Sequence, residues 1–296
     1  MSAVMYELIP AGPRTYYIDS LVKLGIYLQN DTQAILIDSG LDRDTAKKIL
    51  KILQEQNWTL EAIVNTHSHA DHIGGNHYLQ EKTGCRIYTR GMDAPFTRFP
   101  LLEPSLLYGG APFRELQGKF LIAQSSQVLD TSDPTFPAEL EIIPLEGHSF
   151  DMFGIRTPDN VVFLADSVFC EAILNKYHIS YMYNVEWYLN TLDRLETLEA
   201  TRYIPAHAAM TDDIRLLIRI NRAKTEEIIN TLLDICEQPS LFEHILQRIF
   251  THYELSMSYE QYVLLGSTLR SYLSYLKDKG RIQATFRNNL LYWETR

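Results

Sequence analysis

Residues 61–75 read EAIVNTHSHADHIGG, and the reading of this stretch decides the rest. Glu61 to Thr66 is a short apolar, β-branched run of the kind that forms a strand. Four side chains of metal-ligand type follow within six positions: His67, His69, Asp71 and His72. Alternation along the end of a strand puts His67 and His69 on one side. Two imidazoles there can share one ion, and zinc accepts such nitrogens at about 2.0 Å. Asp71 and His72 fall in the following turn, where they can face a second ion. Gly74-Gly75 allows a tight turn and a close backbone approach. The same alternation turns Ser68 away from its neighbours, so it reads as structural, as does Ser149.

Working outward, residues 14–28 are rich in strand-forming side chains, and Ala34-Ile-Leu-Ile-Asp38 is an apolar run that stops at Ser-Gly. Residues 42–56 have helical spacing with Asp42 as N-cap. A short helix is expected over 75–83 and a strand over 85–89. Strands alternating with helices argue for a layered α/β domain. Residues 91–127 break the pattern with Pro95, Pro100, Pro104, Pro112 and the pair Gly109-Gly110. They read as an insertion with short helices that covers something. Strands resume at 139–145, 152–156, 161–165 and 203–205, with an amphipathic helix at 184–199. After residue 212 the pattern becomes helical, over 214–236, 241–253 and 258–279, with Gly280 as a stop signal. Residues 281–293 then read as a β-hairpin. Helices closed by one hairpin suggest a small winged-helix-like domain. The chain therefore divides at 1–212 and 213–296.

With these elements in place, the sequence resembles the metallo-β-lactamase superfamily. Asp38 in Ile-Asp-Ser-Gly, the HxHxDH cluster at 67–72, His148 in Glu-Gly-His-Ser, Asp166 in Phe-Leu-Ala-Asp-Ser and His207 in Ile-Pro-Ala-His match its five motifs in order. The resemblance implies an αββα sandwich with the site at one edge between the sheets. It implies that His67, His69 and His148 bind a first metal, that Asp71, His72 and His207 bind a second, and that Asp166 bridges them. Asp38 would orient a ligand histidine from behind. Two divalent ions, zinc first and iron or manganese as alternatives, would hold a hydroxide between them for hydrolysis of an ester, thioester or similar small-molecule bond. Asp71 would also shuttle a proton. The aromatic segment 177–188 (YHISYMYNVEWY) is expected near the substrate, with His178, Tyr181 and Tyr183 as contacts.

Within that family several activities compete. The lactonases it resembles carry tyrosine three residues after the bridging aspartate, where this chain has Phe169. Flavodiiron relatives have Glu in place of His69. A glyoxalase II-like thioesterase stays open. Two alternatives remain beside it: a mononuclear-iron persulfide dioxygenase, whose relatives also carry HxHADH, and a single-stranded RNA endonuclease of the same fold. Charge speaks against nucleic acid as partner. The chain has 37 acidic and 27 basic residues, a net charge of −10, and such a protein repels polyanions and anionic membranes. Residues 213–296 are nearly neutral, with 11 basic against 10 acidic side chains. Lys277, Lys279, Arg281 and Arg287 around the hairpin read as solvated surface, and the apolar helix faces there could instead support a homodimer. Three separated cysteines suggest no disulfide framework. No apolar run is long enough to span a membrane and the start of the chain shows no signal peptide, which makes the cytoplasm the expected compartment and a secreted β-lactamase a poor match.

Overall fold

The computed structural model describes residues 6–296. The first sheet holds β1 (Glu7–Pro10), β2 (Thr15–Asp19), β3 (Leu24–Leu28), β4 (Gln33–Ile37), β5 (Thr59–Val64), β6 (Arg86–Thr89) and β7 (Leu129–Asp130), paired in that order. β1 to β4 are antiparallel neighbours, whereas β4 to β7 run parallel. Parallel neighbours need crossovers. Helices α1 (Arg43–Glu55), α2 (Ala70–Ile73) and α3 (Asn76–Thr83) lie in the first two, and α4 (Asp93–Arg98) and α5 (Leu102–Tyr108) in the third. The Asp42 carboxylate accepts hydrogen bonds from the Asp44 and Thr45 backbone N–H groups and so caps α1 as the sequence suggests.

The second sheet holds β8 (Glu141–Pro144), β9 (Phe153–Arg156), β10 (Val161–Phe163) and β11 (Arg202–Ile204), in the order β11-β10-β9-β8. Helices α6 (Glu171–Tyr177) and α7 (Val185–Glu196) connect β10 to its parallel neighbour β11. The two sheets meet face to face over Tyr17, Ile35, Val64 and Tyr88 from the first and Phe153, Ile155 and Phe163 from the second. At the contact a Cβ on Gly25 would come 2.6 Å from the Phe163 ring, so only glycine lets the aromatic side chain lie there. The outer face of the first sheet buries Leu36 and Ile63 against Ala46, Ile49 and Leu79 of α1 and α3. The outer face of the second packs on α7. Helices thus cover both outer faces of two stacked sheets.

The chain continues as α8 (Arg215–Ile235), β12 (Ser240–Leu241), α9 (Phe242–His252), α10 (Tyr259–Asp278), β13 (Ile282–Arg287) and β14 (Leu290–Thr295). Asn288 and Asn289, both at positive φ, make the two-residue turn between β13 and β14. The apolar faces of α8, α9 and α10 do not form a separate core. One continuous cluster runs from Leu145 and Val162 of the second sheet through Leu192 to Leu232, Ile249, Leu273 and Ile282.

Two expectations shift. The strand at 61–66 ends at Val64: the Asn65 N–H makes a last bond to the first sheet, at Tyr88 O, and Thr66 O already accepts from Phe153 N of the second sheet. Helix α6 is absent from the sequence reading. It starts after Cys170 without a side-chain cap, so no local signal marks it. Among the described residues no helix is long and apolar enough to cross a membrane.

Candidate metal centre

The motif residues collect at one edge of the sandwich, each beyond the end of a strand. His67 and His69 follow β5, and Asp71 and His72 lie within α2. His148 lies between β8 and β9, Asp166 after β10 and His207 after β11. The turn carrying the first four is pressed against the loop after β4: a Cβ on Gly74 would come 1.9 Å from the Leu41 carbonyl oxygen. The glycine pair therefore serves the close approach that the sequence suggests.

Hydrogen bonds behind the ligands set which nitrogen faces the cluster. His72 Nδ1 donates to Asp38 Oδ2 at 2.8 Å. His148 Nδ1 donates to the Tyr181 carbonyl at 2.9 Å. His67 Nδ1 donates to Thr66 Oγ1 at 3.1 Å, which itself donates to Asp38 Oδ2. With the proton on Nδ1, Nε2 of each points a lone pair inward. Asp38 also accepts from the Thr66 backbone N–H at 2.8 Å, and does so from a left-handed backbone with φ of 60°. One short side chain thus holds the strand end, the hydroxyl behind His67 and the ring of His72.

Inside, His67 Nε2 and His148 Nε2 lie 3.0 and 2.9 Å from His69 Nδ1. Three imidazole nitrogens this close leave facing lone pairs unbalanced unless a cation sits among them. Beside them Asp166 lies 3.1 Å from His72 Nε2, 3.4 Å from His148 Nε2 and 3.3 Å from His207 Nε2. His207 Nε2 lies 3.6 Å from Asp71. His72 Nε2 and Asp166 Oδ1 are buried and, despite their proximity, make no aligned hydrogen bond. Such orphaned groups are costly unless another partner completes them. Three overlapping sets could hold a metal ion: His67, His69 and His148; His67, His72 and Asp166; Asp71, His72 and His207.

Charge divides the cluster in two. Burial, and then the neighbouring histidines, keeps His67 far below its ordinary pKa and brings His69 down to about 3. Those rings stay neutral and ready to donate lone pairs. Burial also opposes charge on His207, but Asp166 and Asp71 outweigh it and lift it to about 10. Asp166 and Asp38 lift His72 in the same way. Asp71 is held at about 2 by His72 and His207 against the effect of burial. Protons and a divalent ion therefore compete for the same nitrogens on this side.

Three supporting residues escaped the sequence reading. Asp93 of α4 is buried and accepts from Ser68 N at 2.9 Å, Ser68 Oγ at 2.8 Å and Asp151 N at 3.0 Å, with Ser149 Oγ at 3.3 Å. It ties the loop of His67 and His69 to that of His148, which gives Ser68 and Ser149 the structural role expected of them. Asn221 of α8 donates to Phe169 O at 2.8 Å and accepts from Phe169 N at 3.1 Å. Phe169 in turn stacks on His207 with ring centroids 5.7 Å apart. Glu103 of α5 is buried 3.6 Å from His69 Nε2, and burial lifts its carboxyl to about 8. None of the three belongs to a motif.

The cluster opens into a cavity of about 590 Å³. Of the three expected substrate contacts, Tyr181 lines it, with its ring 5.1 Å from that of His69. Tyr183 does not: its ring packs on Phe150 at 4.0 Å. His178 stacks on Tyr253 at 4.8 Å, away from the cavity. The insertion after β6 does cover the metal edge, contributing Glu103, Phe120 and Leu121 to the wall.

A stack of two sheets between helices, with a histidine and aspartate cluster that could hold metal where the strands end, defines a class of metal-site α/β proteins. The family model described as the metallo-beta-lactamase superfamily matches residues 24–207. The chain belongs to the metallo-β-lactamase superfamily. Solved structures agree on the fold. A metallo-β-lactamase family protein from Thermus thermophilus superposes with a TM-score of 0.71 at 16% identity, covering 100% of this chain and 99% of that one. A β-lactamase domain protein from Burkholderia ambifaria gives 0.73 at 15% identity, covering 100% and 95%. Both matches include the C-terminal segment. Among curated relatives, a hydroxyacylglutathione hydrolase of Methylococcus capsulatus is 27% identical over 183 residues, 62% of this chain and 61% of its own length. One from Pelagibacter ubique is 36% identical over 66 residues, 20% of this chain and 28% of its own length. The chain thus spans less than two thirds of the length of these curated relatives.

Proposed function

We propose that this protein is a metal-dependent hydrolase of esters or thioesters, with two divalent ions, zinc first among them, held by His67, His69, His148, Asp71, His72 and His207 and bridged by Asp166. The observation that carries it is the inward convergence of these side chains, several of them oriented from behind, at the floor of a cavity large enough for a small organic molecule. When bound, such ions acidify water and polarise the scissile carbonyl. The chain's own residues do the rest. Asp38 and the Tyr181 carbonyl hold the imidazole tautomers. Asp71, the most exposed of the cluster, faces the cavity and is placed to carry a proton towards the leaving group. Tyr181 and the apolar wall exclude water from the reacting face.

Residues 1–212 would then form the catalytic domain and residues 213–296 a winged-helix-like domain that serves the site rather than nucleic acid. Two of the four basic side chains around the hairpin are already engaged within the chain. Lys279 pairs with Glu186 at 2.6 Å and Arg287 with Glu294 at 2.6 Å. The hairpin turn itself carries only asparagines.

Element analysis of the purified protein, with assays of ester and thioester hydrolysis, tests the reading. Two divalent ions per chain and hydrolysis lost on chelation are expected. A single iron per chain with oxygen uptake on persulfide would overturn it in favour of a dioxygenase.

A further inference from the structure

The wall of the cavity is built by four separated stretches. Leu21 precedes β3, Leu121 closes the insertion, Ile173 and Ile179 flank the end of α6, and Leu264 and Leu265 come from α10. Among the described residues, the cavity outside the metal cluster has two charged side chains, Glu103 and Lys176. Glu103 is buried at the metal end. Lys176 is exposed at the mouth, where its ammonium donates to the Tyr177 hydroxyl at 2.9 Å and lies over that ring at 4.6 Å. Among the described residues no arginine lines the cavity. At the rim Leu21 and Phe120 are 70% and 65% exposed, so the apolar surface continues outward from the pocket.

We infer that the acyl part of the substrate is a long apolar chain, and that a glutathione conjugate is not what this cavity is lined to hold. The inference rests on the hydrolase reading above. Glutathione brings two carboxylates, and taking carboxylates out of water requires cationic or multiple N–H partners. One lysine, exposed at the mouth and already engaged with Tyr177, does not supply them. An alkyl chain asks for what the wall offers, which is apolar area without unsatisfied polar groups. The C-terminal helices acquire a role in this arrangement, since Leu264 and Leu265 lie where the chain would run. The reaction is a plain hydrolysis. Water oxygen joins the acyl carbon, the C–S or C–O bond breaks, and its electron pair leaves with sulfur or oxygen, which takes up a proton. A carboxylate and a thiol or alcohol are the products, and no oxidant is needed.

Two measurements test this separately from the hydrolase reading. In the first, neutral S-alkyl-N-acetylcysteamine thioethers, ethyl to decyl, are titrated calorimetrically into metal-free protein. In the second, kcat/KM of the zinc-loaded protein is followed along S-acyl-N-acetylcysteamine thioesters and p-nitrophenyl esters, acetyl to decanoyl, with S-lactoylglutathione as comparator. Affinity and kcat/KM should both rise about fourfold per methylene until the cavity is full. Leu264→Trp should bring the plateau to a shorter chain, lowering kcat/KM for the decanoyl substrates far more than for the acetyl ones. Leu21→Glu, at an exposed rim position that tolerates the change, should weaken only the longest chains. Thioesters outrunning oxoesters, or the reverse, identifies the bond. Chain-length-dependent binding without turnover of any substrate would uphold the pocket and sink the hydrolase reading. A flat binding series, or S-lactoylglutathione turned over about tenfold better than every acyl chain, a gap of about 1.4 kcal/mol, would overturn the inference.

Discussion

The two ends of the cavity are built on opposite principles. At the metal end, several side chains are held by directed partners: Asp38 on His72, Tyr181 O on His148, Asp93 on the loops that carry His67, His69 and His148. At the other end Leu264, Leu121 and Ile173 offer the cavity apolar surface alone. Hydrogen bonds resolve position to a fraction of an ångström, which ligand geometry needs, whereas apolar walls tolerate repacking. The comparison teaches that chemistry and substrate choice can vary independently here. Changes at the metal end should act on catalysis for every substrate, and changes at the wall on the ranking among substrates.

The largest effect should come from Asp166→Ala. It removes the one carboxylate within 3.5 Å of three imidazoles. Metal content should fall below two ions per chain, and kcat/KM should drop about 1000-fold or more for short and long substrates alike. A variant that keeps both ions and full activity would remove the basis for contrasting the two ends. Asp38→Asn is a finer probe. Asparagine tolerates the left-handed backbone at this position, so the fold is retained while His72 and Thr66 lose an ionised acceptor. Metal affinity should fall about 10- to 100-fold, measured by competition with a chromogenic chelator.

Protons offer a third probe of the metal end. His207, raised to about 10, contributes stability to the metal-free fold that is complete below its ordinary value of 6.5 and is lost as pH rises through about 10. That proton must leave before the nitrogen can bind an ion. Metal affinity should therefore climb by about tenfold per pH unit for each displaced proton between neutrality and about pH 9. Calorimetry in buffers of different ionisation enthalpy should detect the release, and pH-independent uptake would mean that His207 is not a ligand. The smallest effect belongs to Tyr183→Ala. Its ring packs on Phe150 and Trp187 away from the cavity, so kcat/KM should stay within about twofold on all substrates while Tm falls from lost aromatic packing. A change in substrate ranking would place that side chain at the wall after all.

What was legible in the sequence follows the same contrast. Ligand geometry depends on short spacings, and strand alternation with a glycine pair converts His67 to Gly75 directly into placement. The strands around it were legible for a similar reason, since Ala34–Asp38 and the 61–66 run are each bounded by turns. The wall was not. Leu21 and Leu264 are more than 240 positions apart, and nothing local distinguishes a cavity leucine from a core leucine. Tyr183 and His178 share the sequence neighbourhood of the cavity, but the lining runs through Tyr177, Ile179, Ser180 and Tyr181 and stops there, so of the three only Tyr181 faces it. Asp93, Asn221 and Glu103 support the site from segments with no motif, and their roles exist only once the layers have docked.

The division of ligands between the two sheets sets an order in time. His67 and His69 emerge from the ribosome long before His148, and Asp166 and His207 later still. N-terminal segments fold first during synthesis, yet neither ion can be fully enclosed until the second sheet has closed over the first. The three-histidine group is complete once residue 148 is free, while the Asp71, His72 and His207 group waits for residue 207. On the two-ion reading proposed above, loading would be staged by translation itself, and the ions would act as late fasteners across the seam between the sheets.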